Sequence, residues 1–288
     1  MKQAMIFAAG LGTRLKPITD TMPKALVPVG GRPLIDIIIG RLREQGYDRF
    51  VVNIHHFAQM IIDHVAEQEY APLVHFSDER EQLLETGGGL KKAAPLFNDD
   101  VPILIHNVDI LDNVDFGWFS RQHLPDEDAV LLVSHRKTKR YLLFDNAMRL
   151  MGWTNIETGE VRSPYPWLRL ADINIDDALR VTSPSLPFHS PFTPLSLPSP
   201  LYAFAFSGIH SFSPRLFSLM ERFPERFPII DFYLSVCHRA RIVGLPKDDL
   251  RLMDVGKLDT LAEANDFLET NMNNVNNQST NRNDNLKR

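Results

Sequence analysis

Apolar and polar residues alternate in blocks through the first half of the chain. Short apolar runs rich in β-branched residues, such as 49–54, predict buried strands, whereas segments with apolar residues on one helical face, such as 33–46, predict amphipathic helices. Proline at the first turn and glycine at the end delimit that helix. The order strand, helix, strand, helix favours right-handed βαβ units and a largely parallel sheet. Further strands are predicted at 4–9, 72–76, 101–105 and 129–133, and further helices at 57–68, 90–96 and 259–269.

This parallel rhythm ends after Lys139. Apolar segments at 141–144 and 148–153 flank Asp145-Asn146, a pattern typical of a β-hairpin, so the second half is predicted to be mixed sheet. Residues 172–200 include a proline- and serine-rich tract that favours neither helix nor central strand, and we interpret it as an insertion or lid. The asparagine-rich segment 271–288 has too little apolar surface to fold and is predicted to be disordered. The pattern predicts one α/β domain over residues 1–270.

Composition and charge restrict the kind of partner. With 288 residues, 44% of them hydrophobic, the chain can build a large core without disulfides, and Cys237, its single cysteine, is expected to be a buried thiol. A net charge of −5 argues against a nucleic-acid partner and favours a small anionic ligand in a local basic pocket. The amino-terminal apolar run is too short for a signal peptide, and no apolar segment is long enough to span a bilayer. We therefore expect a cytoplasmic protein without a membrane partner.

The first predicted strand runs into a glycine-rich turn. Gly10 and Gly12 permit a close approach of backbone N–H groups to phosphate oxygens, and Arg14 and Lys24 add positive charge suited to a triphosphate. By itself, a Gly-x-Gly pattern is more often an ordinary turn with two solvated cations, because such short patterns recur by accident. The sequence lacks both the third glycine of a dinucleotide-binding fingerprint and the Gly-Lys-Ser/Thr of a Walker loop.

Two other segments are expected at the carboxyl ends of strands, where open α/β sheets bind ligands. Gly87-Gly88-Gly89 precedes a helical pattern, and glycine amides there can face a flat ring, although a flexible loop explains the run equally well. Asp109 follows a buried strand and is a suitable Mg²⁺ ligand, although an aspartate at a strand end is more often a turn former.

Residues 10–35 resemble the signature of the sugar-1-phosphate nucleotidylyltransferases. About a dozen positions match, from Gly10-x-Gly12-Thr13-Arg14 through Pro23-Lys24 to Pro33-Leu34-Ile35. The resemblance implies a Rossmann-like, doubly wound mixed sheet in a single GT-A-like domain. It also implies that the turn wraps a nucleoside triphosphate, with Ala9, Gly10, Gly12, Thr13, Arg14 and Lys24 as its nucleotide-binding residues.

Three later segments resemble parts of the same family. Residues 79–89 look like its base-recognition loop, in the form found in N-acetylmuramate-1-phosphate uridylyltransferases, which implies nucleotide contacts at Glu85, Gly87 and Gly88. Mannose-1-phosphate guanylyltransferases carry a related loop, so the loop does not decide between uracil and guanine as the base that is recognised. Asn107-Val108-Asp109 resembles the metal motif, with valine in place of the usual small residue, and 253–256 resembles the segment with the second carboxylate. The implied roles are Mg²⁺ binding by Asp109 and Asp254 and substrate contact by Asn107.

The acceptor side is less well defined. The family's Glu-Lys-Pro motif is absent from the predicted hairpin, where Gly152 is the one candidate substrate residue. Residues 207–210 resemble the family's sugar-binding strand. The implied reaction transfers a nucleotidyl group from UTP to N-acetylmuramate-1-phosphate and releases pyrophosphate, with Arg14, Lys24 and Asp109 as catalytic residues. The alternatives are a mannose-1-phosphate guanylyltransferase and a non-catalytic nucleotide-sugar sensor. The oligomeric state stays open.

Overall fold

The computed structural model describes residues 1–168 and 201–270, and within them a central sheet of ten strands is flanked by helices. None of the helices in these residues is both long enough and apolar enough to cross a bilayer. The strands are β1 Gln3–Phe7, β2 Pro28–Val29, β3 Arg32–Pro33, β4 Arg49–Ile54, β5 Val74–Asp78, β6 Ile103–Asn107, β7 Ile110–Asp112, β8 Ala129–Ser134, β9 Arg140–Phe144, β10 Leu150–Asn155, β11 Glu160–Arg162, β12 Tyr202–Phe212, β13 Ile242–Pro246 and β14 Leu252–Asp254. The helices are α1 Leu34–Glu44, α2 Ala58–Ala66, α3 Glu85–Ala93, α4 Phe116–Ser120, α5 Phe217–Met220, α6 Ile229–Val236 and α7 258–270.

Four neighbouring strands, in the order β5-β4-β1-β6, run parallel. Phe7 at the end of β1 aligns with Asn53 of β4 and Asn107 of β6, so the carboxyl ends of these strands lie level. Beyond β6 the sheet continues through antiparallel β12 to β9, β10 and β11, while β8 joins β12 to β13. The predicted doubly wound mixed sheet is confirmed, and so is the hairpin, which β9 and β10 form.

The two faces of β1 pack against different helices. Ala4 and Ile6 belong to a buried cluster that contains the apolar face of α1, whereas Met5 joins Leu90 of α3 and Phe232 of α6. Successive side chains of a strand point to opposite faces, so an apolar run such as this one requires cover on both sides. The sheet is therefore the middle layer of the fold, and its strand ends stay free for a site.

Most predicted elements lie within two or three residues of the observed ones, but the glycine run is an exception. The prediction of a loop before a helix at 90–96 is wrong, because α3 begins at Glu85 and contains all three glycines. A Cβ at Gly88 would lie 2.0 Å from the carbonyl oxygen of Glu225, so the glycines allow that segment to approach the helix. The predicted insertion at 172–200 and the predicted tail at 271–288 lie outside the described residues.

Strand β12 is irregular at Gly208, in the middle of its length. Its register with β8 shifts between Phe206 and His210, and Gly208 has a φ of 83°. The Ser207 hydroxyl donates to the Leu132 carbonyl at 2.7 Å and accepts from the Ile209 N–H at 3.0 Å, so it satisfies backbone groups at this break in the ladder. The bulge brings the β12 backbone against the end of β6, where a site can form.

Candidate active site

A cleft opens at the carboxyl ends of β1, β4 and β6. It consists of two cavities, of about 580 and about 510 Å³, which share Phe7, Thr86 and Asn107. We call the first the turn cavity, because residues 8–14 of the glycine turn line it together with Lys24, Glu85 and Asp109. We call the second the strand cavity, because Phe206, Ser207, Gly208 and His210 of β12 line it together with Arg136 and Arg140.

The glycine turn is held in place by its own backbone and by Thr19. Gly12 has a φ of 63°, and a Cβ there would lie 2.8 Å from Cγ2 of Thr19. The Gly12 carbonyl accepts hydrogen bonds from the Thr19 hydroxyl and from the Leu15 N–H, both at 2.8 Å. A Cβ at Gly10 would meet nothing within 4 Å. The turn therefore needs glycine at position 12 for its shape, whereas Gly10 borders open space in the turn cavity.

Four charged side chains converge beside this turn. The Lys24 ammonium forms an ion pair with Asp109, and Nη2 of Arg14 lies 3.5 Å from Oδ2 of Asp254. Gly256 lies between the two pairs. A Cβ at Gly256 would be 2.4 Å from Oδ1 of Asp254, 2.8 Å from Nη2 of Arg14 and 3.0 Å from Nζ of Lys24. The two ion pairs therefore adjoin one another, and the glycine leaves room between them.

Asp254 reaches this place through a small second sheet. Strand β14 pairs antiparallel with β7 so that Asp254 lies opposite Ile110, and the Val255 N–H donates to the Asp109 carbonyl at 2.9 Å. The sequence predicted this meeting of distant aspartates through the resemblance alone, because their spacing carries no such information. The structure brings them together.

The pair of carboxylates suits a hard cation that phosphate oxygens would complete. No third acidic, histidine or cysteine side chain of the described residues joins Asp109 and Asp254. Mg²⁺ in such sites commonly takes one or two protein carboxylates and fills its other positions with substrate phosphates and water. The side chains of Asp109 and Asp254 are 22% and 46% exposed, so a ligand in the cleft can reach both. The donor set therefore fits Mg²⁺ in the presence of a nucleotide.

A buried ion cluster fixes the turn that carries Asp109. Arg41 of α1 donates two hydrogen bonds of 3.0 Å to the fully buried Asp112 carboxylate, and Nε2 of His106 lies 3.0 Å from the same group. Burial raises the pKa of Asp112, but Arg41 and His106 outweigh it and hold the pKa well below its usual range. Because His106 is the last residue but one of β6 and Asp112 ends β7, the cluster holds both sides of the turn between these strands.

Two buried polar residues that sequence reasoning missed connect the turn to α3. The Ala8 N–H donates to Oδ1 of Asn53 at 2.8 Å, and Nδ2 of Asn53 donates to Oε1 of Glu79 at 2.7 Å. Oε2 of Glu79 accepts from the Leu84 N–H at 3.0 Å, just before α3. A polar residue inside the apolar run 49–54 was the available signal. These bonds tie one side of the turn cavity to the other.

The structure corrects part of the predicted base-recognition set. Glu85 lines the turn cavity, where it adopts a φ of 63° and pairs with Arg226 at 3.0 Å. Gly87 and Gly88 do not line it, because both N–H groups donate to the carbonyl of Phe227, at 2.9 and 3.1 Å. These amides are committed inside the protein and cannot face a base.

Of the two predicted substrate residues, one lies in the cleft and the other does not. Asn107 lies at the junction of the two cavities, beside Gly208 of β12. Gly152 lines neither cavity, since it is buried in β10, where a Cβ would be 3.1 Å from the carbonyl oxygen of Arg162. The structure therefore does not place Gly152 in the cleft, and the glycine accommodates the neighbouring chain. Cys237 lies outside the cleft, half-buried, and burial raises the pKa of its thiol to about 12.

The family match covers most of the residues that line the turn cavity. Residues 3–141 match the family model described as nucleotidyl transferase. Over 111 residues, the chain is 46% identical to the N-acetylmuramate alpha-1-phosphate uridylyltransferase of Caulobacter vibrioides, a match that covers 38% of this chain and 46% of that protein. It is 35% identical over 124 residues to a mannose-1-phosphate guanyltransferase of Debaryomyces hansenii, covering 42% of this chain and 34% of that protein. The chain therefore spans about half the length, or less, of these curated relatives.

A solved structure extends the likeness to the whole fold. A UDP-glucose pyrophosphorylase complexed with UDP-glucose superposes with a TM-score of 0.64 at 15% identity, and the match covers 94% of this chain and 99% of that one. At this identity the likeness concerns the fold alone. The matched residues 3–141 include β1, the glycine turn, α3 and Asp109. Residues 3–141 therefore match the nucleotidyl transferase family, and the chain as a whole shares the fold of this solved structure.

Proposed function

We propose that this chain transfers a nucleotidyl group from a nucleoside triphosphate to a sugar-1-phosphate and releases pyrophosphate. The observation that carries the proposal is the convergence of Arg14, Lys24, Asp109 and Asp254 around Gly256, beside the glycine turn. Two cations and two carboxylates at one point suit a reaction between polyanions. A protein that only sensed nucleotide sugars would not need the second carboxylate.

The attacking group is an oxygen of the sugar phosphate, which is already an anion, so no side chain has to remove a proton. The barrier arises from repulsion between the two phosphates. Lys24 and Arg14 lower it by placing fixed positive charge at the mouth of the turn, where charge develops on the departing pyrophosphate. Mg²⁺ held by Asp109 and Asp254 would supply further charge to the reacting phosphates. Gly10 and its neighbours would bind the triphosphate through backbone N–H groups.

For the substrates, we propose UTP and N-acetylmuramate-1-phosphate, with Mg²⁺ as the metal. The 46% identity to the uridylyltransferase of Caulobacter vibrioides supports this choice, and it exceeds the 35% identity to the guanyltransferase. Glu85 and Thr86 line the turn cavity where the base would lie and are the side chains available to it. Transfer from GTP to mannose-1-phosphate is the alternative that the experiment must distinguish.

The test is a pyrophosphate-release screen over four nucleoside triphosphates and a panel of sugar-1-phosphates, with Mg²⁺. We expect the highest kcat/KM with UTP and N-acetylmuramate-1-phosphate. Asp109→Asn keeps the shape of the side chain but removes its charge, and it should lower kcat by about 100-fold or more. Asp63→Asn, an exposed position on α2, is the matched control and should keep full activity. Retained activity in Asp109→Asn, or no pyrophosphate from any substrate pair, would overturn the proposal.

A further inference from the structure

Two arginines face the strand cavity without an acidic partner. Arg136 lies on the connection between β8 and β9 and Arg140 begins β9; both are exposed, and both line the cavity. Among residues 1–168 and 201–270, neither guanidinium forms an ion pair, and Arg136 makes a single long hydrogen bond of 3.4 Å to the Phe206 carbonyl. Arg41, by contrast, holds Asp112 through a two-point ion pair. The strand cavity thus carries two guanidinium groups without an ion-pair partner among the described residues, and Asp254, the carboxylate that lines the same cavity, pairs with Arg14 instead.

His210 provides a second, independent sign of a ligand in the same cavity. Its side chain is 1% exposed, yet neither ring nitrogen makes a well-formed hydrogen bond in the described part of the chain, where the Gly208 backbone offers only a weak one. Burial lowers the pKa of His210 to about 3, an effect that the Gly208 backbone offsets only in part, so the ring is neutral. A neutral imidazole donates at one nitrogen and accepts at the other. Buried polar atoms are normally paired, so a polar ligand in the cavity would complete this residue.

The arginines line a different cavity from the glycine turn, although Asp254 lines that cavity with them. On the proposed function, the acceptor phosphate would lie where the cavities meet, near Asn107 and between Asp109, which lines the turn cavity, and Asp254, which lines the strand cavity. Arg136 and Arg140 line the strand cavity and not the turn cavity. A sugar ring that extends from the junction into the strand cavity would present its other substituents, and not its phosphate, to the arginines.

We propose that Arg136 and Arg140 bind a carboxylate on the acceptor sugar, while His210 hydrogen-bonds a neutral substituent of the same ring. Guanidinium groups hold carboxylates through paired, charge-assisted hydrogen bonds, which gives geometric selectivity as well as affinity. The chain therefore selects acidic sugar phosphates over neutral ones. This inference rests on the proposed function, since it places the acceptor in the strand cavity.

The experiment compares two acceptors that differ in one group. N-acetylmuramate-1-phosphate carries a carboxylate on its lactyl ether, whereas N-acetylglucosamine-1-phosphate lacks that ether and shares the rest. We measure kcat/KM with UTP and Mg²⁺, and separately the Kd of each sugar phosphate by calorimetry, for the wild type and for an Arg136→Gln/Arg140→Gln double variant. Lys137→Gln is the matched control, because it removes one charge from the same connection at a residue that lines neither cavity. Thermal unfolding verifies that each variant is folded.

The double variant should lose about 10- to 100-fold in kcat/KM and in affinity for the muramate compound, and less than about threefold for the glucosamine compound. Lys137→Gln should match the wild type on both. An equal loss on both acceptors would mean that the arginines serve the shared phosphate, and no loss on either would mean that they serve neither; each result overturns the inference. If the wild type turned over no acceptor but still bound the muramate compound through the arginines, the proposed function would fail and the inference would stand.

Discussion

His210 is a buried imidazole whose ring packs against Phe206 and Tyr233, with ring centroids 5.4 and 5.6 Å away. Its pKa falls from an ordinary 6.5 to about 3 on burial. Below pH 6.5, His210 is therefore protonated in the unfolded chain but not in the folded chain. The free energy of unfolding consequently decreases as the pH falls from 6.5 towards 3. Acid destabilises the fold through this one side chain.

We expect His210→Phe to remove that dependence, because phenylalanine keeps the ring contacts and cannot be protonated. Relative to the wild type, the variant should gain about 2 kcal/mol of unfolding free energy between pH 6.5 and pH 5. Urea unfolding at several pH values measures this difference, provided that the slope against urea is the same for both proteins. An unchanged difference across that range would show that the imidazole titrates normally in the folded state.

Single residues were predictable where they belong to a local pattern. Gly12, Lys24 and Asp109 lie within or next to recognisable motifs, and the structure brings them to one cleft. Asn53 was visible only as a polar residue in an apolar run, and Glu79 gave no signal, because the fold alone places one against the other. Their role depends on the pairing of strands β4 and β5, and the residues around either position do not reveal that pairing.

Helix α3 shows how strongly tertiary contact can override local preference. Three consecutive glycines weaken a helix by about 1 kcal/mol each relative to alanine, which is why a loop was predicted there. The helix nevertheless forms, because the segment 225–228 packs directly on its glycine face and Phe227 accepts two of its N–H groups. Local propensity could not reveal a partner that follows some 140 positions later.

We expect Gly88→Ala to destabilise the protein by about 2 kcal/mol or more, although alanine favours helix over glycine. The added Cβ would lie 2.0 Å from the Glu225 carbonyl oxygen, so either the helix or that segment must move. Lys92→Ala, at an exposed position of the same helix, should change stability by less than about 0.5 kcal/mol. Chemical unfolding of the three proteins compares them, and a Gly88→Ala variant as stable as wild type would contradict this packing.

At the scale of the whole molecule, a ligand that binds only the folded state stabilises it by mass action. UTP with Mg²⁺, at about 100 times its Kd, should stabilise the fold by about 2.7 kcal/mol and raise the Tm by about 5 °C. At the same concentration, GTP should raise it less if the turn cavity distinguishes the bases. Differential scanning calorimetry measures the shift. Equal shifts from all four nucleoside triphosphates would contradict base recognition in this cavity.

The parallel half of the sheet followed from the sequence, whereas in the antiparallel half only the β9–β10 hairpin did. Alternating strands and helices before Lys139 restrict the topology to β5-β4-β1-β6 and its near variants, because βαβ crossovers are right-handed and short. Nothing local predicts that β12 inserts between β6 and β9, since that pairing joins residues on opposite sides of the segment 169–200. The strand cavity, which depends on β12, was accordingly the part of the site that sequence reasoning placed least well.

The small sheet of β7 and β14 has a consequence for how this molecule can fail. In the described residues, three residue pairs hold β14 to β7, and neither strand belongs to the central sheet. Loss of the pairing between β7 and β14 would therefore move Asp254 away from Asp109 while the ten-stranded central sheet stayed intact. Such a protein would have a normal circular dichroism spectrum and a normal melting curve, and it would still lack catalytic activity. Assays of folding alone would not detect the defect.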